Sequence, residues 1–135
     1  MQYNRHEQRQ FAIQILYTVE QNSTSLADAI EQVFNTKFEK SDDAISFANY
    51  TMLKLDKIDE LIESHLTNYH LNRLNAVDRA ILRLATGEML ENKNPDGIII
   101  NEALELTREF SDSGDNKAVR FNNKVLDSIK KDLRK

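Results

Sequence analysis

Apolar residues recur at spacings of three and four along most of this chain, which is the pattern of amphipathic helices. Strict alternation of apolar and polar residues, the pattern of strands, is absent. The spacing therefore predicts six helices, over residues 5–20, 26–38, 42–69, 75–91, 99–110 and 118–133.

Polar residues at the ends of these stretches support the boundaries. Ser25 and Ser41 are predicted N-caps, and Asn75 with Asp78 three residues later resembles a capping arrangement. Asn94 to Gly97 reads as a turn, and the polar run 111–116 reads as a loop.

The third stretch is the ambiguous one. Residues 42–69 contain no Gly or Pro and carry apolar residues at helical spacing throughout. They could form one long helix or two in tandem. We favour one, bent along its length.

Length and composition agree with a helical domain. The chain has 135 residues and 15.6 kDa, enough for one self-sufficient core, so we expect a single domain over residues 1–135. Three glycines and one proline are too few for a turn-rich β-sandwich or barrel. We predict an all-α fold, a compact helical domain of about six or seven helices.

The absence of cysteine excludes disulfides, thiolate zinc sites and iron–sulfur clusters. The N-terminus, MQYNRHEQRQ, lacks the apolar stretch of a secretory signal, and no apolar run approaches the ~18 residues needed to span a bilayer. We expect a soluble, cytoplasmic protein.

Charge is unevenly distributed along the chain. The net charge is −4, yet residues 117–135 carry seven basic residues against two acidic ones, which makes +5. The first ten residues carry +1, so the central part of the chain holds −10. Basic ends favour a polyanionic partner and an acidic body favours a basic one, although a solvated charged surface would give the same count.

Catalytic motifs are missing. His6, His65 and His70 do not have the HExxH spacing of a helical zinc site, and the chain has no phosphate-binding glycine loop and no GxSxG elbow. We therefore expect no enzyme activity, no metal and no cofactor.

Two helices combine aromatic and basic residues outside their apolar stripes. On the first, a helical wheel places His6, Arg9, Gln10, Ile13 and Tyr17 opposite the apolar face, with Arg5 at the border. A ring beside cations and an amide suits single-stranded RNA, in which bases stack on aromatic side chains and cations meet phosphates. A tyrosine at a helix–helix boundary is the alternative.

The last helix repeats this arrangement. Lys117, Arg120, Lys124 and Lys131 form one longitudinal stripe, interrupted by Asp127. Phe121 lies between this stripe and the apolar face, as a base-stacking ring or as a core residue beside lysines.

Two acidic residues of the fourth helix are also candidates. Glu88 falls inside the apolar stripe, so we expect it to be buried with a cationic or hydrogen-bonding partner from another helix. Asp78 lies at the flank of the stripe near the helix start, where it suits the helix dipole or the arginine of a partner protein.

Four segments together resemble the NusB family of transcription antitermination factors. They are RHEQRQFAIQILY at 5–17, VDRAILRLA at 77–85, INEALEL at 100–106 and FNNKVLD at 121–127, in register over essentially the whole chain. The family opening has a run of arginines, which His6 and Glu7 interrupt here. We therefore expect the N-terminus to contribute a smaller share of RNA affinity.

The resemblance implies a non-catalytic helical adaptor that pairs with the ribosomal protein NusE, binds single-stranded boxA RNA of ribosomal RNA leader transcripts, and joins the RNA polymerase antitermination complex. By position, Arg5, His6 and Arg9 match the basic motif, Tyr17 and Phe121 match aromatic positions that meet RNA, and Asp78 matches an acidic position that faces NusE. A homodimer is possible. The alternative function is a protein-binding or self-associating helical module without specific RNA binding.

Overall fold

The computed structural model describes residues 2–35, 37–67 and 69–135. In this part of the chain it contains seven α-helices, one short 3-10 helix and no strand, so the predicted all-α class is confirmed. The helices are α1 (Arg5–Asn22), α2 (Leu26–Val33), α3 (Asp42–Leu53), α4 (Leu55–Ser64), α5 (Ala76–Glu91), α6 (Asp96–Phe110) and α7 (Lys117–Leu133), with the 3-10 helix at Leu71–Arg73.

The fifth helix is the centre of the fold. It packs against α1, α3, α4, α6 and α7, and almost every residue from Ala80 to Met89 is buried. A helix that is apolar on nearly all sides is stable only when other helices surround it, which is why the remaining elements wrap around α5.

Gly87 lets α3 approach α5 closely. A Cβ atom at this position would lie 3.0 Å from Thr51 Oγ1 and 3.3 Å from Ile58 Cδ1. Any larger residue would therefore push α3 or α4 away from the central helix.

The predicted caps are confirmed. The side chains of Ser25, Ser41 and Asn75 accept hydrogen bonds from the backbone N–H groups at the starts of α2, α3 and α5. Asn4 and Glu7 form a reciprocal capping box at the start of α1, which the sequence analysis did not identify.

Some helix boundaries differ from the predictions. The helix predicted over 26–38 ends at Val33, because the rings of Phe34 and Phe38 turn back to pack against Phe11. The turn predicted at Asn94–Gly97 ends earlier, since α6 begins at Asp96 directly after Pro95. Positions 36 and 68, which two predicted helices include, lie outside the described residues.

The single long helix predicted over 42–69 is wrong. The helix is interrupted at Lys54, and the two halves follow different neighbours: α3 packs on α1 and α5, whereas α4 packs on α5 and α7. The apolar spacing continues through the interruption because both halves bury their stripe against α5.

Of the helices in the described ranges, none is both long and apolar enough to cross a membrane.

Candidate nucleic-acid interface

The basic stripe of α7 consists of Lys117, Arg120 and Lys124, which are all exposed. The opposite face of the helix is buried through Val119, Asn122, Val125, Leu126 and Ile129, so burial of one face fixes the direction in which the cations point. Within the described ranges, the one hydrogen bond of the Arg120 guanidinium goes to the backbone oxygen of Asp115, at 3.4 Å. Among the described residues, no carboxylate pairs with any of the three cations.

Lys131 continues this stripe in the sequence but is engaged differently. Its Nζ lies 3.1 Å from Asp127 Oδ2, and this contact holds the pKa of Asp127 below its ordinary value. The open part of the stripe is therefore its N-terminal half.

Phe121 lies on the flank of the stripe, four residues after Lys117 and three before Lys124, which places all three on neighbouring turns of α7. Its ring is partly buried against the core, and it meets the ring of Tyr69 edge to face at a centroid distance of 6.0 Å. The structure thus places an aromatic pair beside the cations.

Arg9 does not lie on the outward surface where the helical wheel placed it. It is 3% exposed, and its guanidinium makes two hydrogen bonds to the Glu88 carboxylate, at 2.9 and 2.8 Å. Burial acts to lower the pKa of Arg9, but the hydrogen bonds and charge of Glu88 outweigh it and raise the pKa above its ordinary value. This corrects the outward placement of Arg9 by the helical wheel, and it confirms that Glu88 is buried and paired. That Arg9 contacts RNA phosphates stays a prediction.

The wheel failed because α1 has neighbours on several sides. Helices α2, α3 and α5 all pack against it, and Ile13, also predicted to face outward, is buried with Arg9. A single apolar face is a good approximation only for a helix that contacts the core from one side.

His6 and Gln10 connect α1 to the acidic side of α6. His6 Nδ1 lies 3.0 Å from Glu102 Oε2, and its Nε2 contacts Glu109. Gln10 Nε2 donates to Glu109 at 2.8 Å. Both side chains therefore already have partners within the protein.

The Arg5 guanidinium remains available for an anionic ligand. Its guanidinium donates to Gln8 Oε1 at 2.9 Å and lies 5.7 Å from the centre of the Phe47 ring. In the part of the chain that the structure describes, Arg5 forms no ion pair. It is thus the one cation of the predicted N-terminal motif, among these described residues, without an acidic partner.

We expect the His6 contacts to make stability depend on pH. The hydrogen bond that His6 donates to Glu102 raises the pKa of His6 above its ordinary value, burial opposes this, and the charge of Glu109 adds to it. The stabilisation is complete below pH ~6.5 and is lost as pH rises through the raised pKa. His6→Gln should therefore cost up to about 1 kcal/mol of unfolding free energy at pH 5.5 and less at pH 8.5.

Urea melts of both proteins at the two pH values measure this difference. His70→Gln is the control, because the His70 side chain is 82% exposed beside Glu63 and its loss should matter little at either pH. A His6→Gln deficit that grows with pH would contradict the prediction.

Tyr17 is 40% exposed and lies at an open groove of about 550 Å³ between α1, α2, α5 and α6. Phe110, at the end of α6, lines the same groove and is also exposed. In the sequence pattern Phe110 marks only the end of a predicted helix, although its place as the last apolar residue of α6 was the available signal. The groove is lined entirely by uncharged residues.

The two predicted stacking residues have different neighbours. Tyr17 lies in the groove with Val77, whereas Phe121 contacts Tyr69. The first turn of α5 contacts both regions: Val77 lines the groove, and the adjacent Asp78 contacts Asn122 of α7.

Asp78 is mostly buried instead of lying on an open flank. Its carboxylate accepts hydrogen bonds from Asn75 Nδ2 at 2.8 Å and from Asn122 Nδ2 at 3.2 Å, while Asn122 also donates to Thr107 Oγ1 at 3.0 Å. Asp78 therefore joins α5 to α7, and its replacement by Lys would disturb the fold. That it also faces a protein partner stays a prediction.

The arginines of α5 are not free to bind RNA. Arg79 and Arg83 both pair with Glu20, and Arg83 also makes two hydrogen bonds to Asp59, at 2.8 and 3.0 Å. The two arginines lower the pKa of Glu20, and the contacts tie α1 and α4 to the central helix.

Within the described residues, no group of three or more His, Asp or Glu side chains is arranged to hold a metal ion.

Comparison with known proteins identifies the family. The NusB family model matches residues 6–131. The transcription antitermination protein NusB of Bacillus subtilis is 38% identical over 131 residues, covering 96% of both chains. The crystal structure of NusB from T. maritima superposes with a TM-score of 0.84 at 32% identity, covering 97% of this chain and 93% of that one.

A solved complex of the antitermination factors NusB and NusE with double-stranded RNA is also similar. Its matching chain has a TM-score of 0.81 and 28% identity, with 95% of this chain and 96% of that chain covered. The sequence match and the fold agree over nearly the full length. This chain belongs to the NusB family of transcription antitermination proteins.

Proposed function

We propose that this protein is a non-catalytic RNA-binding adaptor that pairs with NusE and binds single-stranded boxA RNA of ribosomal RNA leader transcripts. In this role it joins the RNA polymerase antitermination complex in the cytoplasm and supports processive transcription of ribosomal RNA. The observation that carries the proposal is the row of exposed cations on α7, Lys117, Arg120 and Lys124, beside the Phe121 ring. No carboxylate of the described residues pairs with them.

Whether a cation already pairs with a carboxylate decides whether it can bind an RNA phosphate. A cation that already holds a buried carboxylate would have to break that pair to bind phosphate, at a large energetic cost. We therefore assign phosphate contacts to Arg5, Lys117, Arg120 and Lys124. We assign no phosphate contact to His6, Gln10 or Arg9, because His6 and Gln10 contact α6 and Arg9 pairs with Glu88.

We assign base stacking to Tyr17 and Phe121. Tyr17 is the more open of the two, and it lies among amide side chains of α1 that could bind base edges. Phe121 shows less of its ring because it also packs against the core.

The similarity to the solved NusB–NusE complex supports NusE as the protein partner. The acidic body of the chain is complementary to a basic protein, and Glu102, Glu105 and Glu109 lie along α6 within it. A protein-binding or self-associating module without specific RNA binding is the competing function. Gel filtration with and without NusE and boxA RNA reports the stoichiometry of each state.

Salt-dependent binding separates RNA binding from the competing function. Four phosphate contacts to a single strand predict a slope of log K against log salt of about −3, since each contributes about −0.7. Labelled boxA RNA titrated with the wild-type protein at several salt concentrations measures this slope. Stacking requires unpaired bases, so the same sequence annealed to its complement should compete poorly. No salt-dependent binding at all would contradict the proposal.

Tyr17→Ala tests the stacking assignment. Loss of one stacking ring should weaken boxA binding by about 1 to 3 kcal/mol while leaving the salt slope unchanged, because no phosphate contact is removed. Tyr17→Phe keeps the ring and should bind as the wild type does. Wild-type affinity in Tyr17→Ala would place the RNA elsewhere on the protein.

A further inference from the structure

Tyr69 is an exposed aromatic residue that neither the charge pattern nor the family resemblance singled out. It lies in the connection between α4 and α5, and it is 54% exposed. Its ring meets Phe121 of α7 edge to face, with an interplanar angle of 77°. Tyr69 therefore stands beside the residue that we assign to base stacking.

Structural packing alone does not account for this ring. A tyrosine that serves the core buries its ring and satisfies its hydroxyl, whereas Tyr69 leaves about half of its surface in solvent. Within the described residues its hydroxyl has no hydrogen-bond partner, and its one ring contact is the edge-to-face pair with Phe121.

The connection that carries Tyr69 is anchored at both ends. On one side, His65 Nδ1 lies 2.7 Å from Ser128 Oγ and His65 Nε2 lies 3.1 Å from Asp132 Oδ2, which ties the end of α4 to α7. On the other side, the backbone N–H of Leu71 donates to Glu63 Oε2 at 2.7 Å. These contacts restrain the chain on either side of Tyr69, which lowers the conformational entropy lost when a ligand binds there.

The surroundings of the pair match one ligand chemistry. Phe121 is flanked on its own helix by Lys117 and Lys124, neither of which pairs with a carboxylate in the described ranges. An exposed ring beside free cations suits a nucleotide, whose base stacks while its phosphate meets the cations. An apolar peptide would use the rings and leave the cations without partners.

We propose that Tyr69 is a further RNA-binding residue, which stacks on an unpaired base of the boxA strand next to the position of Phe121. The inference rests on the proposed function, and it extends the RNA surface from α7 to the connection between α4 and α5. The Tyr69 hydroxyl is not required for stacking.

Affinity measurements on substituted proteins test the role of the ring. Tyr69→Ala should weaken binding of labelled boxA RNA about 5- to 150-fold with an unchanged salt slope, as expected for the loss of one stacked base. Tyr69→Phe should bind as the wild type does. Tyr69→Leu keeps an apolar contact with Phe121 but has no flat face, so it should lose affinity as Tyr69→Ala does.

Fluorescence gives a direct readout of contact. The chain contains no tryptophan, so Tyr69→Trp introduces a single emitter at the site. Stacking on a base should quench its emission when boxA RNA is added. Tyr50→Trp is the matched control. Tyr50 lies on α3, which packs on α1, α4 and α5, and we place no stacked base there. The emission of this tryptophan should therefore not change when boxA RNA is added.

The possible outcomes are distinct. If the wild type shows no salt-dependent binding of boxA RNA, the proposed function itself fails. If the wild type binds and Tyr69→Ala binds equally well, the inference is overturned and the proposed function stands. Wild-type affinity in Tyr69→Leu would show that the residue acts only by packing against Phe121. If Tyr69→Ala binds NusE more weakly but binds boxA RNA as the wild type does, Tyr69 belongs to the protein interface. Either of these last two results overturns the inference.

Discussion

Replacing Glu88 with glutamine should lower the free energy of unfolding by about 3 to 5 kcal/mol. Both side chains of the Arg9–Glu88 pair are 3% exposed, and two parallel hydrogen bonds join them. Glutamine keeps the shape of the side chain but leaves the Arg9 charge buried without a counter-charge. Denaturant melts with an unchanged m-value measure the loss.

The Glu105–Arg108 pair supplies the matched control. It also joins a glutamate to an arginine, at 2.7 Å, but the two side chains are 58% and 48% exposed. Glu105→Gln should therefore change the free energy of unfolding by under about 0.5 kcal/mol. A Glu88→Gln cost as small as the control would mean that water reaches the Arg9 guanidinium.

The double variant Arg9→Met with Glu88→Leu separates the charge from the packing. Both charges are then absent, and apolar side chains of similar length fill the space. Such replacements of buried ion pairs are often neutral or stabilising, so the double variant should be more stable than Glu88→Gln. If it also binds boxA RNA as the wild type does, Arg9 contributes to the fold and not to the RNA contact.

Removing the three open cations of α7 should have a large effect on RNA binding and on its salt dependence. In Lys117→Gln, Arg120→Gln and Lys124→Gln combined, the slope of log K against log salt should become shallower by about 2 units, since each lost phosphate contact removes about 0.7. At 0.1 M salt the same contacts correspond to about fivefold in affinity each, or about 100-fold together. Titrations of labelled boxA RNA at several salt concentrations measure both quantities.

The C-terminal end of the chain provides a control of equal charge. Lys130 and Lys131 lie within ion-pair distance of Asp127, and Lys135 within ion-pair distance of Asp132. Replacing these three lysines with Gln changes the net charge by the same amount without touching the open stripe. Equal losses in the two triple variants would show a general charge effect instead of specific phosphate contacts.

Local patterns in the sequence determined the positions of most helices. Ser25, Ser41 and Asn75 cap helices where expected, because capping depends on contacts within one turn. The open stripe of α7 was also predictable, since its three cations share a face of one helix and the opposite face is strongly apolar. The position of Glu88 inside an apolar stripe likewise predicted that its carboxylate needs a partner.

Tertiary structure decided which groups meet across the chain. The interruption at Lys54 arises because α3 and α4 pack on different neighbours, and the apolar spacing on either side of it is continuous. Arg9 is buried because α1 is enclosed by several helices, and its partner is 79 positions away.

The pairing of Tyr69 with Phe121 likewise joins a connection to a distant helix. Helix periodicity and caps depend on residues a few positions apart, so the sequence by itself determined the helices, the open stripe and the requirement for a counter-charge at Glu88. The partners themselves depend on how the other helices of the described residues pack around α5, and contacts at such separations leave no periodic signal in a single sequence.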